Sequence, residues 1–84
     1  MIQATIYSRP GCHLCDEMKS VVARVARTTP MTIEEVDISG DPALESLYGL
    51  EIPVLLIDGR KAAKARVTED TLRRIIAGRA QSGR

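Results

Sequence analysis

The sequence predicts a single α/β domain: a four-stranded mixed sheet, elements in the order β-α-β-α-β-β-α, and helices on both faces. Three observations predict it. Ile2-Gln3-Ala4-Thr5-Ile6-Tyr7 alternates apolar and polar residues, the period of a half-buried strand. Directly after it, Leu14, Met18, Val21, Val22 and Val25 recur at helical spacing. Further on, Val54-Leu55-Leu56-Ile57 is continuously apolar, as expected of a central strand covered on both faces.

Each element can be justified in turn. The first strand ends before Ser8-Arg9-Pro10-Gly11, and a helix is expected from Cys12 to about Arg27, stopping before Thr28-Thr29-Pro30. A second strand is expected at about Thr32–Ile38, with Ile33, Val36 and Ile38 as its apolar members. Its alternation is broken by Glu34-Glu35, which suits a sheet edge. A helix between two strands makes a βαβ unit, so these strands should run parallel. Gly40-Asp41-Pro42 opens a short helix with Asp41 as N-cap, Leu44, Leu47 and Tyr48 as its apolar face, and Gly49 as its C′ stop. After the apolar third strand, Asp58-Gly59 signals a hairpin, returning the chain through Lys61–Arg66 as an antiparallel edge. Lys61, Lys64 and Arg66 would protect that edge from further pairing. Thr68 then caps a helix of about Glu69–Ala77 whose Leu72, Ile75 and Ile76 face the core.

Composition bounds the function. Eighty-four residues support one hydrophobic core, expected over residues 1–80, with 81–84 as a frayed tail. A net charge of +1 argues against bulk nucleic-acid binding, and with Tyr7 and Tyr48 as the only aromatics there is no platform for stacking bases. No apolar run approaches a membrane span, and the start lacks the basic and apolar regions of a signal peptide, so the expected location is the cytoplasm. Charge is uneven: residues 1–59 carry nine acids and four bases, residues 60–84 eight bases and two acids. The basic segment reads either as a solvated helix or as a docking face for an acidic partner.

The chemistry points to the only two cysteines, Cys12 and Cys15. A bridge between residues so close constrains the unfolded chain little, so the pair reads as redox-active rather than structural. The start of a helix offers unpaired N–H groups and partial positive charge, and Arg9 adds a full charge nearby. Thiols so placed have pKa values lowered from about 8.5 into roughly the 3.5–7.5 range, and the thiolate is the nucleophile. Cys15 shares the edge of the buried stripe, whereas Cys12 at the tip should face solvent. That asymmetry suits two-step exchange, with Cys12 attacking a disulfide and Cys15 resolving the mixed disulfide.

The element order, the Cys-X-X-Cys at the start of the first helix and Ile52-Pro53 at the start of the third strand resemble the thioredoxin fold in its glutaredoxin form. Tyr7-Ser8-Arg9-Pro10-Gly11-Cys12-His13-Leu14-Cys15-Asp16 looks closest to a small bacterial glutaredoxin-like family. Val36-Asp37-Ile38, Asp41-Pro42, Tyr48-Gly49-Leu50 and Ile52-Pro53-Val54-Leu55 fit the same pattern, over residues 2–77. The resemblance implies that Cys12 is the nucleophile, Cys15 the resolving cysteine, and Pro53 a cis proline beside them. Ile52 would then pair with an extended substrate as a short added strand. The substrate-binding surface implied is Tyr7, Arg9, His13, Leu14, Ile52 and Pro53. It further implies no tightly bound cofactor, a disulfide-containing protein or small thiol as substrate, and a monomer. Reducing equivalents would come from glutathione, another low-molecular-weight thiol or a flavoprotein disulfide reductase.

The departures are specific. Common glutaredoxins carry Pro-Tyr between the cysteines, where this chain has His13-Leu14. They also place a Gly-Gly pair before the last helix, at the site for the glutamyl end of glutathione; here the segment reads Lys64-Ala65-Arg66-Val67-Thr68-Glu69-Asp70. His13, as an imidazolium, would lower the Cys12 pKa and make the disulfide more oxidising, unless it points to water. Asp16 reads either as a dipole-complementing residue or as a buried proton acceptor for Cys15. Two other classes of function stand beside the redox reading. Cys12, His13 and Cys15 in a dimer could hold a metal or an iron–sulfur cluster, although three ligands fall short of four. A non-catalytic interaction module could also retain the fold.

Overall fold

The computed structural model describes the backbone of residues 1–82 and side-chain environments through residue 78. The elements are β1 (Ile2–Ser8), α1 (His13–Ala26), β2 (Met31–Asp37), α2 (Pro42–Tyr48), β3 (Val54–Ile57), β4 (Arg60–Lys64) and α3 (Glu69–Ser82). The strands form one four-stranded sheet in the order β2-β1-β3-β4. β1 pairs parallel with β2 and antiparallel with β3, which pairs antiparallel with β4. The expected mixed sheet, the parallel βαβ unit and the edge position of β2 all hold.

The register follows from which side chains must be buried. Ala4 and Ile6 on β1 and Leu55 and Ile57 on β3 point to one face, where Met18, Val22 and Val25 of α1 and Leu72 and Ile76 of α3 close over them. Ile75 is only half-buried, so α3 meets the core through a narrower stripe than expected. Tyr7, of the opposite parity on β1, stacks on Tyr48 of α2 at a centroid distance of 4.5 Å, which sets α2 on the other face. Asp58 (φ 51°) and Gly59 (φ 83°) both occupy the left-handed region that a two-residue type I′ hairpin requires. The Gln3 N–H donates to Asp58 Oδ1 at 3.0 Å and binds that turn to the start of β1.

Several expectations need correction. Cys12 and Arg27 are not helical residues but the two caps of α1. β2 starts one residue early and stops at Asp37, and at the edge it buries little: Ile33 is exposed and Val36 half-buried, while Ile38 just past its end is buried. β4 stops at Lys64 because Ala65 turns to φ 65°, and the Arg66 N–H closes back on the Lys64 carbonyl at 2.7 Å. α3 continues past Ala77 to Ser82, so the expected tail from Gln81 begins as helix, and its Gly83 and Arg84 lie outside the described residues.

The largest correction concerns α2. Asp41 caps it as expected, its carboxylate accepting from the Ala43 and Leu44 N–H groups at 3.1 Å each. Its apolar face does not enter the core: no residue of α2 is buried, and Leu47 is 64% exposed. Nor is Gly49 a left-handed stop, since its φ is −55°. Glycine serves there through space, because a Cβ would come within 2.6 Å of the Glu45 carbonyl oxygen.

Candidate functional site

The strand end and the helix start bring the two cysteines together. β1 delivers the chain to Ser8, Gly11 turns it through φ 77°, and Cys12 takes extended backbone angles as the N-cap of α1. The Cys12 sulfur accepts a hydrogen bond from the Cys15 N–H at 3.1 Å, the role usually filled by a serine or aspartate oxygen. Cys12 and Cys15 are joined as a disulfide. Cys15 is buried at 1% exposure, whereas Cys12 is half-exposed. In the dithiol form, the same N–H group and the helix macrodipole favour negative charge on Cys12 over Cys15.

The cis Ile52–Pro53 bond lies at the same end of the molecule. The register sets Val54 opposite Tyr7, so Pro53 comes where the chain leaves β1 for Cys12. Pro53 is buried, Ile52 is half-exposed, and the Pro53 carbonyl accepts from the Ala65 N–H at 2.8 Å. Leu14 is half-buried beside the pair.

The remaining expected residues are placed by their partners. Arg9 Nη2 donates to Glu45 of α2 at 2.5 Å, so a carboxylate compensates the charge expected to serve Cys12. Arg9 Nε is buried without a hydrogen-bond partner. His13 is 86% exposed and pairs with Glu17 one turn along α1 at 3.0 Å. Asp16 is exposed and pairs with Lys19 at 3.3 Å, which rules out the buried proton acceptor considered for it. Tyr7 stacks on Tyr48 of α2.

A polar cluster that no sequence motif singled out lies behind the turn leading to Cys12. Ser8 is 3% exposed, and its hydroxyl donates to Glu35 of β2 at 2.8 Å. Lys19 of α1 reaches the same carboxylate at 3.0 Å. The hydrogen bonds from Lys19 and then Ser8 hold the Glu35 carboxyl below its usual range, and Glu35 followed by Asp16 raises the Lys19 amine. One signal could have revealed it: Ser8 has the strand parity of Ala4 and Ile6, so it must point inward and needs a partner.

Comparison with known proteins agrees with this geometry. Residues 3–77 match the family described as glutaredoxin-like domain. A Dictyostelium discoideum protein named as glutaredoxin-like is 31% identical over 77 residues, which span 84% of this chain and 71% of that protein. An X-ray structure of a Xanthomonas campestris protein superposes with a TM-score of 0.77 at 37% identity, covering 89% of this chain and 96% of that one. A Desulfovibrio vulgaris desulfothioredoxin superposes with a TM-score of 0.71 at 23% identity over 92% and 80% of the two chains, a likeness of fold alone. Among the described residues, no helix is long and apolar enough to cross a membrane.

Proposed function

The chain belongs to the glutaredoxin-like family with a thioredoxin fold, and from that premise we propose that it is a thiol–disulfide oxidoreductase working through Cys12 and Cys15. The observation that carries the reading is the unequal pair at the helix start, one sulfur half-exposed at the N-cap and the other buried one turn along. The Cys12 thiolate attacks one sulfur of a substrate disulfide, forming a mixed disulfide and releasing the other sulfur as a thiolate that takes up a proton. Cys15 then loses its proton and attacks the Cys12 sulfur. The intramolecular disulfide closes, the second substrate thiolate leaves, and two electrons have passed to the substrate. A dithiol donor, or two equivalents of a low-molecular-weight thiol such as glutathione, returns two electrons and two protons; a flavoprotein disulfide reductase would serve equally.

One more feature supports this chemistry. Ile52 before the cis Pro53 offers its backbone to an extended substrate segment. A cytoplasmic location and action as a monomer complete the reading. Reduction of a model protein disulfide by a dithiol donor tests it. Cys12→Ser should abolish turnover, and Cys15→Ala should accumulate the mixed disulfide on Cys12. Full activity in Cys12→Ser would overturn the assignment.

A further inference from the structure

The basic side chains around the two cysteines each have a carboxylate partner. His13 pairs with Glu17 at 3.0 Å, and Lys19 lies between Asp16 at 3.3 Å and Glu35 at 3.0 Å. Those partners sit on α1 itself or on β2, which is hydrogen-bonded to β1 along its length. Arg9, three residues before Cys12, differs: its partner Glu45 belongs to α2, the helix that buries none of its residues. Three observations fit the guanidinium to that place. Arg9 Nη2 meets the Glu45 carboxylate at 2.5 Å, Arg9 Nε is buried, and a Cβ at Gly49 would lie 3.5 Å from Nη2. Asp37, which lines the same polar cavity as Arg9, accepts instead from the Ser39 N–H at 2.8 Å. The Cys12 sulfur, among the described residues, accepts from the Cys15 N–H alone.

We propose that Glu45 is a positioning residue for the thiol chemistry: it commits the Arg9 guanidinium to α2 and so withholds that charge from the Cys12 thiolate. The proposal rests on the disulfide-exchange reading and adds how the same site is tuned. A cation within about 4–6 Å of an ionisable group favours its anionic form. The same cation bonded to a carboxylate brings little net charge, because the two fields oppose each other. With Glu45 in place, Cys12 draws on the Cys15 N–H and the start of α1. Without it, Arg9 adds a full charge beside the turn, the reduced protein is stabilised, and the disulfide becomes more oxidising. Because α2 has no buried residue, its local opening would release Arg9 in the same way.

Alkylation rates of the reduced full-length protein against pH, read on Cys12 by peptide mass, test the proposal without depending on turnover. Glu45→Gln should lower the midpoint of the Cys12 profile by about half a pH unit, less than an unscreened cation gives because the pair is partly exposed. Equilibration of the same variant with dithiothreitol should lie about threefold further toward the reduced protein. Arg9→Gln should raise the midpoint. Adding Glu45→Gln to Arg9→Gln should then move it by a clearly smaller amount than in the wild type, since Glu45 acts through Arg9. Misfolding would carry the thiol the other way, toward the ordinary value of about 8.5. An unchanged or raised midpoint in Glu45→Gln, or an equal shift in the two backgrounds, would overturn the inference. Activity toward a small symmetric disulfide, compared between the wild type and Cys12→Ser, reports separately on the exchange reading.

Discussion

Helices α1 and α3 meet over one face of the sheet through Met18, Val22, Val25, Leu72 and Ile76, all buried, whereas α2 on the opposite face buries none of its residues. The first pair is held by apolar area removed from water, a contribution spread over many contacts. The second is held by identifiable local contacts: the Tyr7–Tyr48 stack, the Arg9–Glu45 ion pair and the Asp41 cap. The difference teaches how the site is mounted. The helix carrying the cysteines is fixed to the core, while α2, which ends five residues before the cis proline, can open locally at lower free energy.

The comparison breaks first in the core. Leu72→Ala or Met18→Ala should destabilise the protein by about 2–5 kcal/mol in urea unfolding, since each leaves a cavity in a closed layer. On the other face, replacing the exposed Leu47 or the fully exposed Leu50 by serine should change stability by no more than about 0.5 kcal/mol. Equal losses on the two faces would refute the asymmetry.

Between these extremes, Tyr48→Ala should cost roughly 0.5–1.5 kcal/mol for the lost ring stack in addition to its buried area. Amide exchange in α2 should accelerate more than in α1. The caps sharpen the contrast. Asp41→Ala and Thr68→Ala each remove a hydrogen-bonded N-cap worth about 1 kcal/mol to its helix. Because α2 can unravel without exposing the core, the Asp41 substitution should register more in local exchange than in the global unfolding midpoint.

The smallest effect is electrostatic. Glu35 has a folded-state pKa below its ordinary 4.5, so its pairing with Lys19 and Ser8 contributes stability above that value and loses it as pH falls through the lowered one. Lys19, raised above 10.5, contributes stability below that value and loses it as pH rises through the raised one. Glu35→Gln should flatten the acid limb of the stability profile. An unchanged limb would show that the pair is screened by solvent at this exposed position.

Much of this arrangement was legible along the chain. The parity of Ala4 and Ile6, the stripe from Leu14 to Val25, the unbroken Val54–Ile57 run and the Asp58-Gly59 turn each express a local rule, and each of these elements formed within a residue of where it was expected. The cysteine positions were legible for the same reason: a turn followed by a helical stripe fixes which residue sits at the tip. The apolar residues of α2 misled, because Leu44, Leu47 and Tyr48 form a helical stripe whether or not another surface comes to cover it. The partner of Arg9 was not legible, since its proximity in sequence to Cys12 did not reveal Glu45.

The sequence by itself determined the periods, the caps, the hairpin and the placement of two sulfurs at the start of a helix, because these depend on residues within a turn or two of one another. Which apolar stripe is covered, and that Glu45 meets Arg9 and Glu35 meets Lys19, came only with the tertiary arrangement. Those outcomes depend on elements far apart in sequence that the sheet order brings together, and no local pattern encodes which of them will meet.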